Sequence, residues 1–462
     1  MGTPTPQKRN IVIVGGGIIG CTTAYFLTRH PKFDPSLHRI TLLEATAIAS
    51  GASGKAGGLL ALWAHPACLV PLSYRLHREL AAEHGGAERW GYRQVGCGDL
   101  GAVVTDPASI KSKVAAAAVT STAAVATDGK LEQKQQNGDH DEDDDKAWEK
   151  LPKQDAKASD LLQDSPLPAE LDWIDGSLVR WYKQMGEDGS GYGSTETSQV
   201  HPFHFTTAIA ALAREKGVDV RIGAKVTRIN HSKTAVTSVE YEDRGEDLSS
   251  SSSEAKHVVI DDVTDVVVTA GPWTGRLLPR SKIEGLRAHS VVFEADVSPF
   301  AVFTNIQLPT SYVPEHRASK GQKRKHRGNV DPEIYARPFG EVYACGEPDT
   351  TTPLPETADL VQCDTDQCDD LVAYIGTVSP QLAAAPVKAR QSCYLPRHMR
   401  FGKEYDPLIG QTGVPGLWVA AGHTCWGIQN GPGTGCLMAE MLLDGRASSA
   451  DVERLEPGRF RV

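Results

Sequence analysis

The sequence predicts an α/β chain: a parallel sheet built of strand–helix units, followed by a region in which strands dominate. Three observations carry this. Residues 11–20 read Ile-Val-Ile-Val-Gly-Gly-Gly-Ile-Ile-Gly, a short buried strand entering a glycine turn, and residues 21–28 continue as helix. A second β-favouring run over 40–43 ends in Glu44. Beyond residue 287, the runs 288–297, 334–338, 341–345 and 387–394 read as strands of a mixed sheet, with one helix candidate, 371–382, among them.

The first element is the most specific. Gly15, Gly17 and Gly20 have the G-x-G-x-x-G spacing of a Rossmann-like turn, with a strand before and a helix after. Gly15 allows the tight exit from the strand, Gly17 lets a pyrophosphate approach the backbone, and Gly20 lets the helix pack on the sheet. The helix start, with Ile18 and Ile19, offers free amides and partial positive charge to phosphates. Glu44 lies about 20 residues past the last glycine, where a carboxylate accepts hydrogen bonds from an adenosine ribose. Ala45 follows it. The reading is a dinucleotide site.

Composition bounds the rest. The chain has 462 residues and a net charge of −10, which suggests about two to three units and gives no global support to a nucleic-acid partner. Its nine cysteines include no C-x-x-C pair, so a reducing, cytoplasmic setting is expected. Residues 1–10 are polar, Pro6 stands where myristoylation of Gly2 expects Ser or Thr, and no apolar run is long enough to be a transmembrane segment. Residues 107–166 contain the acidic run 139–145, and 316–327 is strongly basic. The segments 107–166, 245–256 and 315–330 are expected as disordered or mobile inserts; a protein partner docking through their charges is the other reading.

The remaining elements follow in order. Residues 50–58, Ser-Gly-Ala-Ser-Gly-Lys-Ala-Gly-Gly, cannot form a regular element and read as a loop where backbone approaches a ligand. Ser50, Gly51, Ser53, Gly54, Lys55, Ala56, Gly57 and Gly58 are therefore candidates, with Leu59 just beyond. Helices are expected over 71–84 and 202–216, and a strand over 218–222. A further strand of the same parallel sheet is expected over 226–230, with Lys225 and Val226 beside an adenine. The strand 265–269 enters Thr269, Ala270, Gly271 and Trp273, a second strand–glycine–helix junction. The strand 417–421 runs through Gly422 and His423 into Trp426, Gly427 and Ile428, and a helix follows over 434–444. A second helix N-terminus aimed at the ligand suits a flavin, whose reduced ring carries negative charge that a helix dipole stabilises.

Together these motifs resemble the FAD-dependent oxidoreductases of the D-amino-acid oxidase, glycine oxidase and sarcosine oxidase superfamily. Ser50 to Gly58, Gln391-Ser-Cys-Tyr394 and Gly422-His-Thr-Cys-Trp-Gly427 carry a closer match to fungal members of unassigned substrate. The resemblance implies a Rossmann-like FAD-binding domain, with helices on both sheet faces, discontinuous over 1–70, 196–287 and 396–462. It implies a second, largely antiparallel β-sheet substrate domain over 71–195 and 288–395, the D-amino-acid oxidase-like arrangement. The implied reaction is hydride transfer to flavin from the carbon beside nitrogen in a small-molecule amine or amino acid, with molecular oxygen reduced to peroxide. In related branches a cysteine placed like Cys393 binds the flavin covalently. Here the following residues lack the usual Thr-x-Asp-Gly, and a buried small hydrophobe is the other reading.

Arg337, in an Arg-Pro setting similar to the family's, is a candidate bidentate partner for a substrate carboxylate, or a structural arginine. Tyr335 shares its strand face, as pocket lining or core. Lys55 is a cation beside the reduced flavin or a phosphate neighbour, and Trp63 and His65 are pocket walls or packed core. No metal-ligating set stands out. Two other functions compete: a dehydrogenase with a non-oxygen acceptor, and a flavin-binding regulatory or trafficking protein.

Overall fold

The computed structural model describes residues 8–106, 167–185, 197–245 and 255–462. The expected insert 107–166 and positions 246–254 of the second insert lie outside these residues.

The strand Arg9–Val14 lies inside a six-stranded sheet, between Asp265–Val268 and His38–Glu44. Leu417–Ala421 and Leu408–Gln411 extend it on one side and Asp219–Ile222 on the other. All pairings are parallel except Leu408–Gln411 with Leu417–Ala421. Val14 sits opposite both Val268 and Leu43, so the parallel strands end together. Strands buried on both faces read as unbroken apolar runs, which is why 11–14 was conspicuous in the sequence.

Ile11 and Ile13 face a core built with the helices Ile18–Arg29, Val70–His84, Pro202–Arg214 and Gly427–Asp444. Val12 and Val14 face the opposite way, into Val239 and Tyr241. That face is covered by a three-stranded antiparallel sheet of Ala224–His231, Val236–Asp243 and Lys256–Ile260, not by helices. The expected parallel strand over 226–230 therefore belongs to this small sheet. Gly223, at φ +75°, reverses the chain after Asp219–Ile222. The next strand then meets its neighbour across the short turn 232–235, a local pairing that outcompetes a distant parallel one.

The second sheet has ten strands, largely antiparallel. Its middle runs Val387–Arg400, Ile283–Glu294, Glu341–Cys345, Glu333–Arg337, Phe300–Gln307 and Arg93–Val103, with only the last two parallel. Val291, Phe293, Val302, Ile334 and Val342 point to a core closed by the helix Thr365–Ile375. The alternate residues point inward, toward the first sheet.

The basic stretch 316–327, expected as mobile, is tied down. It opens with the helical turn Glu315–Ala318. Arg317 donates to both carboxylate oxygens of buried Asp370, at 2.6 and 2.5 Å. No helix among the described residues is long and apolar enough to cross a membrane.

Candidate active site

The carboxyl ends of the parallel strands open into a cavity of about 590 Å³, the place where open α/β sheets bind ligands. Gly15 has φ +112°, and a Cβ there would lie 2.6 Å from the Thr269 carbonyl oxygen. The Ile18 amide donates to Ser53 Oγ at 2.9 Å, which seats the loop 50–58 against the helix start. Glu44 Oε2 accepts from the Gly16 amide at 2.7 Å, and Oε1 from the Thr46 amide at 2.8 Å. Burial pushes this carboxyl up while the amides oppose the shift. A carboxylate has about four acceptor positions, so Glu44, which lines the cavity, retains capacity for hydroxyl donors.

Most of the expected residues meet here. Gly15, Gly17, Ile18 and Ile19 line the cavity with Glu44 and Ala45. Ser50, Gly51, Ser53 and Lys55 to Leu59 follow from the loop, and Lys225, Val226, Thr269, Ala270, Gly271 and Trp273 from the far end. Tyr335, Cys393, His423, Trp426, Gly427 and Ile428 complete the set. Beside Lys225, a strap over 346–358 covers the cavity: Glu356 pairs with Lys225 at 3.2 Å and Arg276 at 3.1 Å, and the Trp273 indole donates to the Pro355 carbonyl at 2.7 Å.

Gly20, Gly54, Gly422 and Arg337 do not line the cavity. Gly20 and Gly54 are packing positions, where a Cβ would lie 2.0 Å from the Gly15 carbonyl oxygen and 2.2 Å from that of Ala49. A Cβ on Gly422 would meet Ile283 at 2.9 Å. Of the two readings of Arg337, a grip on a substrate carboxylate or a structural role, its burial and its bonds favour the structural one. It donates to the Ala56 carbonyl at 3.1 Å and to Glu341. The turn at Phe339 and Gly340, both at positive φ, sets these two residues opposite each other. Burial pushes the Glu341 carboxyl up, but His201, Arg337 and Lys388 together hold it far below the usual carboxylate range. Trp63 stands behind the wall, edge-on to Phe303 and Trp426. The His65 carbonyl accepts from Asn430 at 2.7 Å.

Lys55 Nζ donates to the Ser392 carbonyl at 3.0 Å. Burial pushes the neighbouring Cys393 thiol up to about 11, with Lys55 pulling the other way. Burial drives His423 down to about 3, so its imidazole is neutral; Nε2 lies 3.0 Å from Thr434 Oγ1. Sequence reasoning missed Phe303, Glu333, Tyr343 and Cys345, which share the inner face of the large sheet and line the cavity. The alternation in Glu-Ile-Tyr-Ala-Arg over 333–337 was the available signal, since it puts Glu333 on the Tyr335 face.

Residues 10–441 match the family described as FAD dependent oxidoreductase. The chain belongs to this family. The Saccharomyces cerevisiae protein TDA3, described as an oxidoreductase with no substrate in its name, is 36% identical over 519 aligned positions, 97% of this chain and 94% of that one. An L-proline dehydrogenase from P. horikoshii shares the fold at TM-score 0.60 and 17% identity, over 99% of this chain and 98% of that one. A glycine oxidase from Geobacillus kaustophilus does so at 0.60 and 18%, over 98% and 99%. The site fits FAD on its own geometry. A turn too tight for side chains lies beside helical amides that lack intrahelical acceptors, and Glu44 offers open acceptor positions. Beyond them the cavity continues to an aromatic wall.

Proposed function

We propose that this chain oxidises the C–N bond of a small-molecule amine or amino acid, with molecular oxygen as acceptor. The observation that carries the reading is the continuity of the cavity, from the 15–20 turn to the wall of Phe303, Tyr335 and Tyr343. Bound FAD would supply the two-electron acceptor, taking a hydride from the carbon beside nitrogen.

The chain's own residues divide the remaining work. Amides of the first helical turn would hold the pyrophosphate, and Glu44 would accept from ribose hydroxyls. The N-terminus of Gly427–Asp444 supplies partial positive charge to the cavity. Lys55, anchored on the Ser392 carbonyl, adds a full one. The aromatic wall excludes water and orients the substrate. With its thiol held protonated near neutral pH, Cys393 favours FAD bound without a covalent link. One fold carries both a neighbour named as an oxidase and one named as a dehydrogenase, so the electron acceptor is a property of the individual site and not of the fold.

The test begins with the visible spectrum of purified protein before and after acid precipitation. A flavin spectrum released into the supernatant is expected; colour retained in the pellet, and lost in Cys393→Ala, would show a covalent link instead. A peroxide screen over amines and amino acids follows, with an artificial electron acceptor in parallel. Turnover with the artificial acceptor alone would replace oxygen. A protein that can neither retain nor be loaded with FAD would overturn the reading.

A further inference from the structure

Three carboxylates line the cavity among the described residues, and they are not equivalent. Glu44 is held by two amides. Glu356 is paired with Lys225 and Arg276. Glu333 has no cationic partner among the described residues. Its polar contacts are the Tyr335 hydroxyl, which donates to Oε2, and the Cys345 thiol, 3.8 Å from the same oxygen. Oε1 receives no hydrogen bond among these contacts. The charged or titratable groups around Glu333 are Asp331, Tyr335, Cys345, Cys97 and Cys425, and none is a cation. Burial pushes the Glu333 carboxyl up, with the Tyr335 hydrogen bond opposing.

The surroundings are apolar and aromatic. Phe303 and Cys345 flank Glu333 across the two neighbouring strands. Tyr335 and Tyr343 stack at 5.9 Å between centroids, and Phe303 meets Tyr335 edge-on at 6.0 Å. Ring faces attract organic cations. No cation pairs with Glu333: Arg337 is bound to Glu341, Arg276 and Lys225 to Glu356, and Lys55 is anchored on the Ser392 carbonyl. A carboxylate in a low-dielectric wall without a counter-charge is unfavourable until a cation joins it.

We propose that Glu333 is the specificity determinant of this site: its open Oε1 receives the ammonium of a cationic amine whose carbon body lies along Phe303, Tyr335 and Tyr343. Ligands that bring a carboxylate to that wall are repelled. The inference rests on the C–N oxidation reading only for the assignment of this wall to the substrate.

The experiment is a binding measurement on the flavin-loaded protein, by calorimetry and flavin difference spectrum, that requires no turnover. The probes are a series of primary and secondary amines from methylamine to benzylamine and N-methylbenzylamine, with benzyl alcohol and benzoate as neutral and anionic counterparts. At least one amine is expected to bind more tightly than its neutral counterpart, with benzoate weakest. In Glu333→Gln that amine should weaken by about 30-fold or more, the effect of leaving a buried charge unpaired, while benzyl alcohol is unchanged. If Glu333→Gln fails to hold flavin, the ranking of the three ligand charges on the unaltered protein decides. The proposal is overturned if no amine binds better than its neutral counterpart, if benzoate binds best, or if Glu333→Gln leaves amine affinity within a factor of two. The two readings fail separately. Amines that bind through Glu333 without being oxidised would sink only the oxidase reading. Turnover of amino acids indifferent to Glu333→Gln would sink only this one.

Discussion

Arg337 and Glu341 face each other across a hairpin, and neither is free to leave. Removing one partner of a buried pair leaves a charge without its neutraliser, which typically costs about 3–5 kcal/mol. Arg337→Met should therefore lower stability by about that amount in urea unfolding, softened by Lys388 and His201, which still reach Glu341. It should not weaken the affinity of the folded, flavin-loaded variant for a carboxylate-bearing ligand. The buried histidines make a different prediction. His77 and His423 are driven by burial from 6.5 to about 4 and about 3. As pH falls below 6.5 the unfolded chain takes up these protons and the folded chain does not. Their stability is fully present above pH 6.5 and is lost toward pH 4 and below. The melting temperature should begin to fall near pH 6.5, ahead of the carboxylates, and His423→Asn should flatten the upper part of that slope. The residue scale was partly legible in the sequence. Glu44 and the glycines announced themselves by spacing, whereas the commitment of Arg337 to Glu341 was hidden because pairing across a hairpin is invisible without the register.

The helix Gly427–Asp444 contains Pro432, which has no N–H to offer the carbonyl four residues earlier. That carbonyl belongs to Ile428, and His77 Nε2 lies 2.9 Å from it. The neighbouring helix thus supplies the donor that the proline withholds. His77→Ala should cost about 1–3 kcal/mol by orphaning a buried acceptor. In a Pro432→Ala background, where the backbone restores its own bond, the same change should cost measurably less. A double-mutant cycle by chemical denaturation reads the difference; additive effects would contradict the arrangement. Sequence reasoning began this helix at residue 434 because glycine and proline at 431–433 read as a loop. Tertiary packing overrode that propensity. A Cβ on Gly431 would lie 2.6 Å from Ile18, and one on Gly435 2.5 Å from the Thr22 backbone. These glycines are required for the helix to press against Ile18–Arg29, where Thr22 Oγ1 also donates to the Gly431 carbonyl at 2.8 Å.

Across the whole molecule, the cavity draws on positions from Val14 to Ile428. Binding at such a site stabilises the folded chain by mass action, by about 2.7 kcal/mol when free ligand is a hundredfold above its dissociation constant. Apo protein should melt lower than protein supplied with FAD, with a midpoint that climbs with FAD concentration. A flat midpoint would mean that the folded chain does not bind FAD. Both sheets were legible in outline, since strand periodicity and the glycine turn are local signals. The small sheet over Val12 and Val14 was not, because nothing in residues 224–231 states which face they will cover.

The two sides of the cradle meet only through contacts between distant parts of the chain. Thr22, in the helix that leaves the glycine turn, bonds to Gly431 across 409 positions of sequence. Closing so long a loop is entropically slow. Until it closes, the turn at Gly15 is a glycine-thin wall with nothing behind it, so the site should be completed late in folding, and a flavin signal should appear after most of the secondary structure in a refolding experiment.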